Sequence, residues 1–215
     1  MKLPRWLSVM IDRGTGSDVA RAVHNRPRGD ASLHEVARLV TPLGPVVVCA
    51  SDEPGLRVSC EVRELHYEPH APEVRVDRIV RCDIALEATS DGVRPIVTAV
   101  LQASESVEQS TFTGESYFGV GMTRRPTSVA IGTMDEPWWR GVPPRLESEY
   151  AYDDPFQRNV LLERGLRICF PALRTGERIE LPVAVSHVSG GERDATEWAS
   201  DWAVDTAVFA WMNGR

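Results

Sequence analysis

Ser32-Leu33-His34-Glu35-Val36-Ala37-Arg38-Leu39-Val40-Thr41 is the stretch on which the fold class turns. Ser32 followed three residues later by Glu35 has the form of a capping box. There the serine hydroxyl accepts the N3 amide and the glutamate reaches back to the serine amide. Leu33, Val36, Ala37 and Val40 recur at i, i+3, i+4 and i+7, which makes one apolar stripe. Pro42 and Gly44 then stop a helix. The spacing predicts a helix over 32–41 lying by its stripe on a core.

Downstream the apolar period changes to two. Pro45 to Cys49 reads as a short strand and Asp52 to Gly55 as a turn. In Arg57 to Arg63, Val58, Cys60 and Val62 face one way and the charged residues the other, the mark of a sheet with one wet face. Val74 to Ala88 repeats the pattern, with a bulge or turn expected near Asp77–Arg78 because the run is long for one strand. Ser90-Asp91-Gly92 is the strongest turn signal in the chain, and Val93 to Ala103 alternates again. Together they predict an antiparallel hairpin over 78–104 turning at Asp91-Gly92, with φ > 0 at Gly92.

Residues 104–115 read as a polar loop or a wet edge strand. Short strands are expected around 117–122 and 128–131. Asp154-Pro155 has the form of a helix start, with Phe156, Val160 and Leu161 on its apolar side and Gly165 closing it. Leu166 to Phe170 is a strand candidate. Ile179, Leu181, Val183 and Val185 alternate in another, where Pro182 argues for an edge position. Asp194 to Glu197 caps a last helix running toward Met212, apolar around most of its circumference.

The expected fold is therefore α+β, a single domain over 1–215. A mainly antiparallel sheet of six to eight strands is covered by the N-terminal 32–41 helix and the C-terminal helix. The chain has 215 residues, 24 basic against 31 acidic, for a net charge of −7. That balance argues against a nucleic-acid binder. Lys2 is the only lysine, a bias that fits a GC-rich bacterial genome. No apolar run approaches the length of a membrane span, and Met1 to Gly14 lacks the form of a secretory signal, so a cytoplasmic setting is expected. Cys49, Cys60, Cys82 and Cys169 form no CxxC pair and read as buried free thiols. Cys49 and Cys60 flank a turn, which leaves a disulfide across a hairpin open.

Candidate chemistry is sparse. Val9 to Ser17 is a strand end followed by a glycine-rich turn, whose amides can wrap a phosphate through Asp12, Gly14, Thr15, Gly16 and Ser17. Over these nine residues it resembles the first phosphate loop of the actin and sugar-kinase superfamily. The resemblance implies an aspartate near metal and phosphates, in a loop bending between two strands, with a second half-domain to follow. Here Asp18 to Val23 reads as helical and no second phosphate loop follows, so the stretch reads as a plain turn. His66, Glu68 and His70 would share one face of a strand, but Pro69 and Pro72 make the segment a loop. No metal and no cofactor are expected. His187, at a strand end, is a lone candidate base.

Trp138-Trp139-Arg140 is the most informative cluster. Aromatic rings beside an arginine have the composition of an interface hot spot. Trp211 and Met212 add apolar surface near the C-terminus. These residues point to a non-catalytic protein interaction or assembly domain, self-associating or binding a protein partner. The alternative is a small-ligand-binding protein or enzyme with an apolar pocket between sheet and helices.

Overall fold

The computed structural model describes residues 32–65, 74–113, 117–134, 140–143, 145, 159–162 and 164–190. Eleven strands are found there. They are β1 (Leu33–Thr41), β2 (Gly44–Ser51), β3 (Leu56–Leu65), β4 (Val74–Ala88), β5 (Ile96–Leu101), β6 (Glu108–Thr113), β7 (Tyr117–Arg124), β8 (Thr127–Met134), β9 (Asn159–Leu162), β10 (Gly165–Cys169) and β11 (Arg178–Gly190). They form a five-stranded sheet in the order β1-β2-β5-β10-β9 and a six-stranded sheet in the order β3-β4-β11-β8-β7-β6. Every pairing is antiparallel.

The expected α+β class is overturned: among the described residues there is no covering helix, and the expected helix from Asp194 toward Met212 lies outside the described residues. The 32–41 segment is β1, paired with β2 along its length and bulged between Glu35 and Ala37. The two residues of the supposed capping box have other partners. The Ser32 hydroxyl donates to the Asp52 carbonyl at 2.9 Å, and the Asp52 amide donates to the Ser32 carbonyl at 2.7 Å. Glu35 holds Arg38 through two hydrogen bonds. The apolar stripe is not a buried face either, because Val40 is 74% exposed. The bulge explains the deception. One extra residue shifts the alternation partway along the strand, so Leu33 packs on the outer face while Ala37 and Leu39 join the core between the sheets.

Two sheets enclose one core. The smaller sheet contributes Val46, Val48, Ala50, Val97, Ala99, Leu101, Leu166 and Ile168. The larger contributes Val80, Cys82, Ile84, Leu86, Ile179, Leu181, Val183 and Val185, with Val120, Met122, Val129 and Ile131 from β7 and β8. Val58 and Cys60 of β3 pack against this cluster from the edge. The period-two expectations for β3, β4, β5 and β11 hold.

The expected 78–104 hairpin does not form. β4 pairs with β3 and β11, whereas β5 pairs with β2 and β10 in the other sheet. Ser90 to Gly92 is a real turn with Gly92 at φ 83°, but it carries the chain across the sandwich. Gly92 donates to the Leu173 carbonyl at 2.8 Å, and Val93 bridges Leu173. Two further expectations change. The end of the supposed 154–165 helix is strand β9. Pro182 lies in an interior strand, between β4 and β8, although the β8 pairing begins only at Val183. β3 and β2 belong to different sheets, so Cys49 and Cys60 do not face each other across a hairpin.

Candidate functional site

The edge of the larger sheet at β3, β4 and β11 carries a polar recess on its outer face. Its origin lies in the register. Side chains alternate between faces, so the residues facing outward fall into rows across the three strands. One row is Ser59–Ala85–Glu180. The next is Glu61–Asp83–Pro182, and the one after it begins Arg63–Arg81. On the other side the row is Arg57–Glu87–Arg178. Ser59 and Ala85 are short, while the rows beside them bear long charged chains. A hollow of about 380 Å³ results.

Arg140 completes the first row. Its amide donates to the Glu180 carbonyl at 3.1 Å, and the Glu180 amide donates back at 2.8 Å. This bridge puts Arg140 beside Glu180, and its side chain lines the recess. Gly141 is what allows the approach. Its φ is 74°, and a Cβ there would stand 2.4 Å from the Arg178 carbonyl oxygen.

Three of the four arginines in the recess are already paired, each with an acid two residues away on its own strand. Arg63 holds Glu61 at 2.7 Å and 2.9 Å. Arg178 holds Glu180 at 2.9 Å. Arg81, only 4% exposed, holds Asp83 at 2.9 Å and 3.0 Å, and Arg63 approaches the same carboxylate at 3.7 Å. The hydrogen bond from Arg63 keeps the Glu61 carboxyl below its ordinary range, and Glu61 raises the Arg63 guanidinium in turn. The Arg140 guanidinium makes no hydrogen bond or ion pair among the described residues.

Behind the recess, Cys82 faces the core and Cys60 lies diagonal to it across β3–β4. A hydrogen bond between the two thiols lowers Cys60 and raises Cys82, which burial raises further. Cys49 lies on the smaller sheet, its thiol pushed up to about 11 by burial.

Of the interface, ligand, phosphate and histidine candidates singled out by sequence, Arg140 alone is brought to this recess among the described residues. Trp138, Trp139, Trp211 and Met212 lie outside the described residues, as do Asp12, Gly14, Thr15, Gly16 and Ser17 and the His66–His70 segment. His187 lies in β11 opposite Arg78 and Val129, away from the recess. Among the described residues no group of three or more His, Cys, Asp or Glu is placed to hold a metal ion, and no helix is long and apolar enough to cross a membrane. Sequence reading missed Arg63, Arg81, Asp83, Arg178 and Glu180 as site residues. The available signal was the repeated acid–arginine pair at i, i+2 on three strands, but only the register shows that the three pairs are neighbours.

No family model and no curated protein matches the chain. A solved structure named "Putative kojibiose phosphorylase from human microbiome" is similar over 77% of this chain, with 8% identity and a TM-score of 0.44. The chain spans 20% of the length of that protein.

Proposed function

We propose that this chain is a protein interaction domain that docks a partner on the outer face of β3, β4 and β11, with Arg140 at the centre of the contact. The observation that supports this reading is the state of Arg140. It is an exposed guanidinium over a recess whose other arginines are each satisfied by a carboxylate. The exposed pairs among these, Arg63–Glu61 and Arg178–Glu180, contribute little stability. Their value at a surface lies in orienting a partner and rejecting wrong ones. The recess is polar and open, and the space between the sheets is filled by the core. Trp138 and Trp139 immediately precede Arg140 in the sequence, which fits the aromatic and arginine enrichment of hot spots.

A random peptide library displayed on phage tests the reading, with the full chain as bait. Enrichment on the wild type, lost on a folded Arg140→Glu variant, is the expected result. No enrichment, or the same peptides on both baits, overturns it.

A further inference from the structure

We propose that the occupant of this face is an extended segment of a partner protein carrying one isolated Asp or Glu, whose carboxylate sits in the Ser59–Ala85 hollow against Arg140. The inference rests on the docking reading above and names the chemistry of the partner. The charge pattern selects it. Four guanidinium groups and three carboxylates line the recess, and the three in-strand pairs leave one positive charge over. The planar fork of an arginine matches a carboxylate bidentately. Ser59 and Ala85 leave room for a side chain to descend beside Arg140, and Ser59 offers a hydroxyl.

The same pattern sets the number of charges. A second acid beside the first would meet Glu61, Asp83 or Glu180, each already held by its own arginine. Neighbours of the seated residue on that side must therefore not be acidic. The openness of the site argues for a polypeptide. The side chains of Arg63 and Arg178 are about half exposed, at 47% and 54%, whereas small molecules are held in sites that bury most of their surface. A phosphodiester backbone fits worse, because it would meet three carboxylates on a chain of net charge −7.

The test is a titration of the ¹⁵N-labelled full chain, followed by amide shifts at Ser59, Ala85, Arg140 and Glu180. The probes are a capped nine-residue peptide of Ser and Ala with a central Glu, its Gln counterpart, one with three consecutive Glu, and free glutarate. The Glu peptide is expected to shift these amides and to bind at least about tenfold tighter than the Gln peptide, the loss of one charge-assisted contact. Arg140→Gln, with an otherwise unchanged spectrum, is expected to abolish the difference. Gln and Glu peptides binding alike, or Arg140→Gln without effect, overturns the proposal. Tighter binding of the triple-Glu peptide overturns the single-charge socket. Glutarate binding as tightly as the Glu peptide replaces the polypeptide with a small carboxylate and overturns it too. Phage enrichment that depends on Arg140 while Glu and Gln peptides bind alike removes the carboxylate alone. Absence of any enrichment removes the docking reading with it.

Discussion

The two sheets share one core but have opposite outer faces. On the smaller sheet, Leu33, Val47, Cys49 and Ile96 form a second apolar cluster, each between 3% and 7% exposed, with Cys169 packed against it. On the larger sheet, the corresponding positions of β3, β4 and β11 carry Arg–acid pairs around an open recess. One outer face is thus already buried, and the other is left to water. Two-sided apolar strands such as β2 and β5 mark the first, and strict alternation of charged and apolar residues marks the second. Of these two outer faces, among the described residues, the charged one is the more open to water. Its outer ion pairs, Arg63–Glu61 and Arg178–Glu180, remain in contact with water, while Arg81–Asp83 is largely buried beneath them.

An aspartate introduced on each face breaks the comparison most severely. Val47→Asp places a carboxylate where the wild-type residue is 6% exposed. Burying an unpaired charge is among the few single changes with very large cost. We expect a loss of more than about 3 kcal/mol, or failure to fold, in urea denaturation. Ser59→Asp, at an exposed position in the recess, is expected to change stability by no more than about 0.5 kcal/mol. Equal effects at the two sites would mean that the faces do not differ as described.

A smaller effect separates strain from contact. Gly92 and Gly141 both have positive φ, at 83° and 74°. A Cβ at Gly92 would meet nothing within 4 Å, whereas at Gly141 it would run into the Arg178 carbonyl. Gly92→Ala is expected to cost about 1 kcal/mol, for backbone conformation alone. Gly141→Ala adds the collision, which lifts Arg140 away from Glu180. Its thermal midpoint should fall further than that of Gly92→Ala, and it alone should weaken binding at the recess. If both variants bind peptide as the wild type does, the placement of Arg140 does not depend on Gly141.

These differences also show what a sequence can and cannot reveal. Alternation fixes which side chains share a face, so the inner residues of β4 and β11, from Val80 to Leu86 and from Ile179 to Val185, were legible. Gly92 was legible for the same local reason, since a turn needs its positive φ. Pairing is not local. Asp91-Gly92 looks the same whether the chain returns beside β4 or crosses to the other sheet, and nothing in residues 88–96 selects β2 and β10 as the partners of β5. In β1 the bulge at Val36 turned a period of two into an imitation of 3.6. The recess was invisible for the pairing reason: Glu61 and Arg63, Arg81 and Asp83, and Arg178 and Glu180 become one site only through the β3–β4–β11 register. Arg140 was found by composition, through its two tryptophan neighbours.

The smallest effect concerns the seam that keeps the two faces in fixed relation. Asp91 lies on the crossing from β4 to β5, and Thr175 on the crossing from β10 to β11. The Asp91 carboxylate accepts the Thr175 amide at 2.7 Å and its hydroxyl at 2.9 Å. These bonds, the backbone one foremost, hold the Asp91 carboxyl below its usual value of 3.8. A carboxyl with a depressed folded pKa stabilises the fold above its unfolded pKa, and that contribution is lost as pH falls through the folded value. The Asp91→Asn variant keeps an acceptor oxygen for the Thr175 amide but carries no charge there. The wild type should therefore melt slightly higher than Asp91→Asn near neutral pH. The gap should hold down to about pH 4 and close below it, as the unfolded and then the folded carboxyl take up protons. Glu35 and Glu61 are also held low by their arginines, but they titrate equally in both proteins and cancel in the difference. A gap that persists unchanged well below pH 4, or one that widens there, would show that the charge of Asp91 has no part in joining the two crossings.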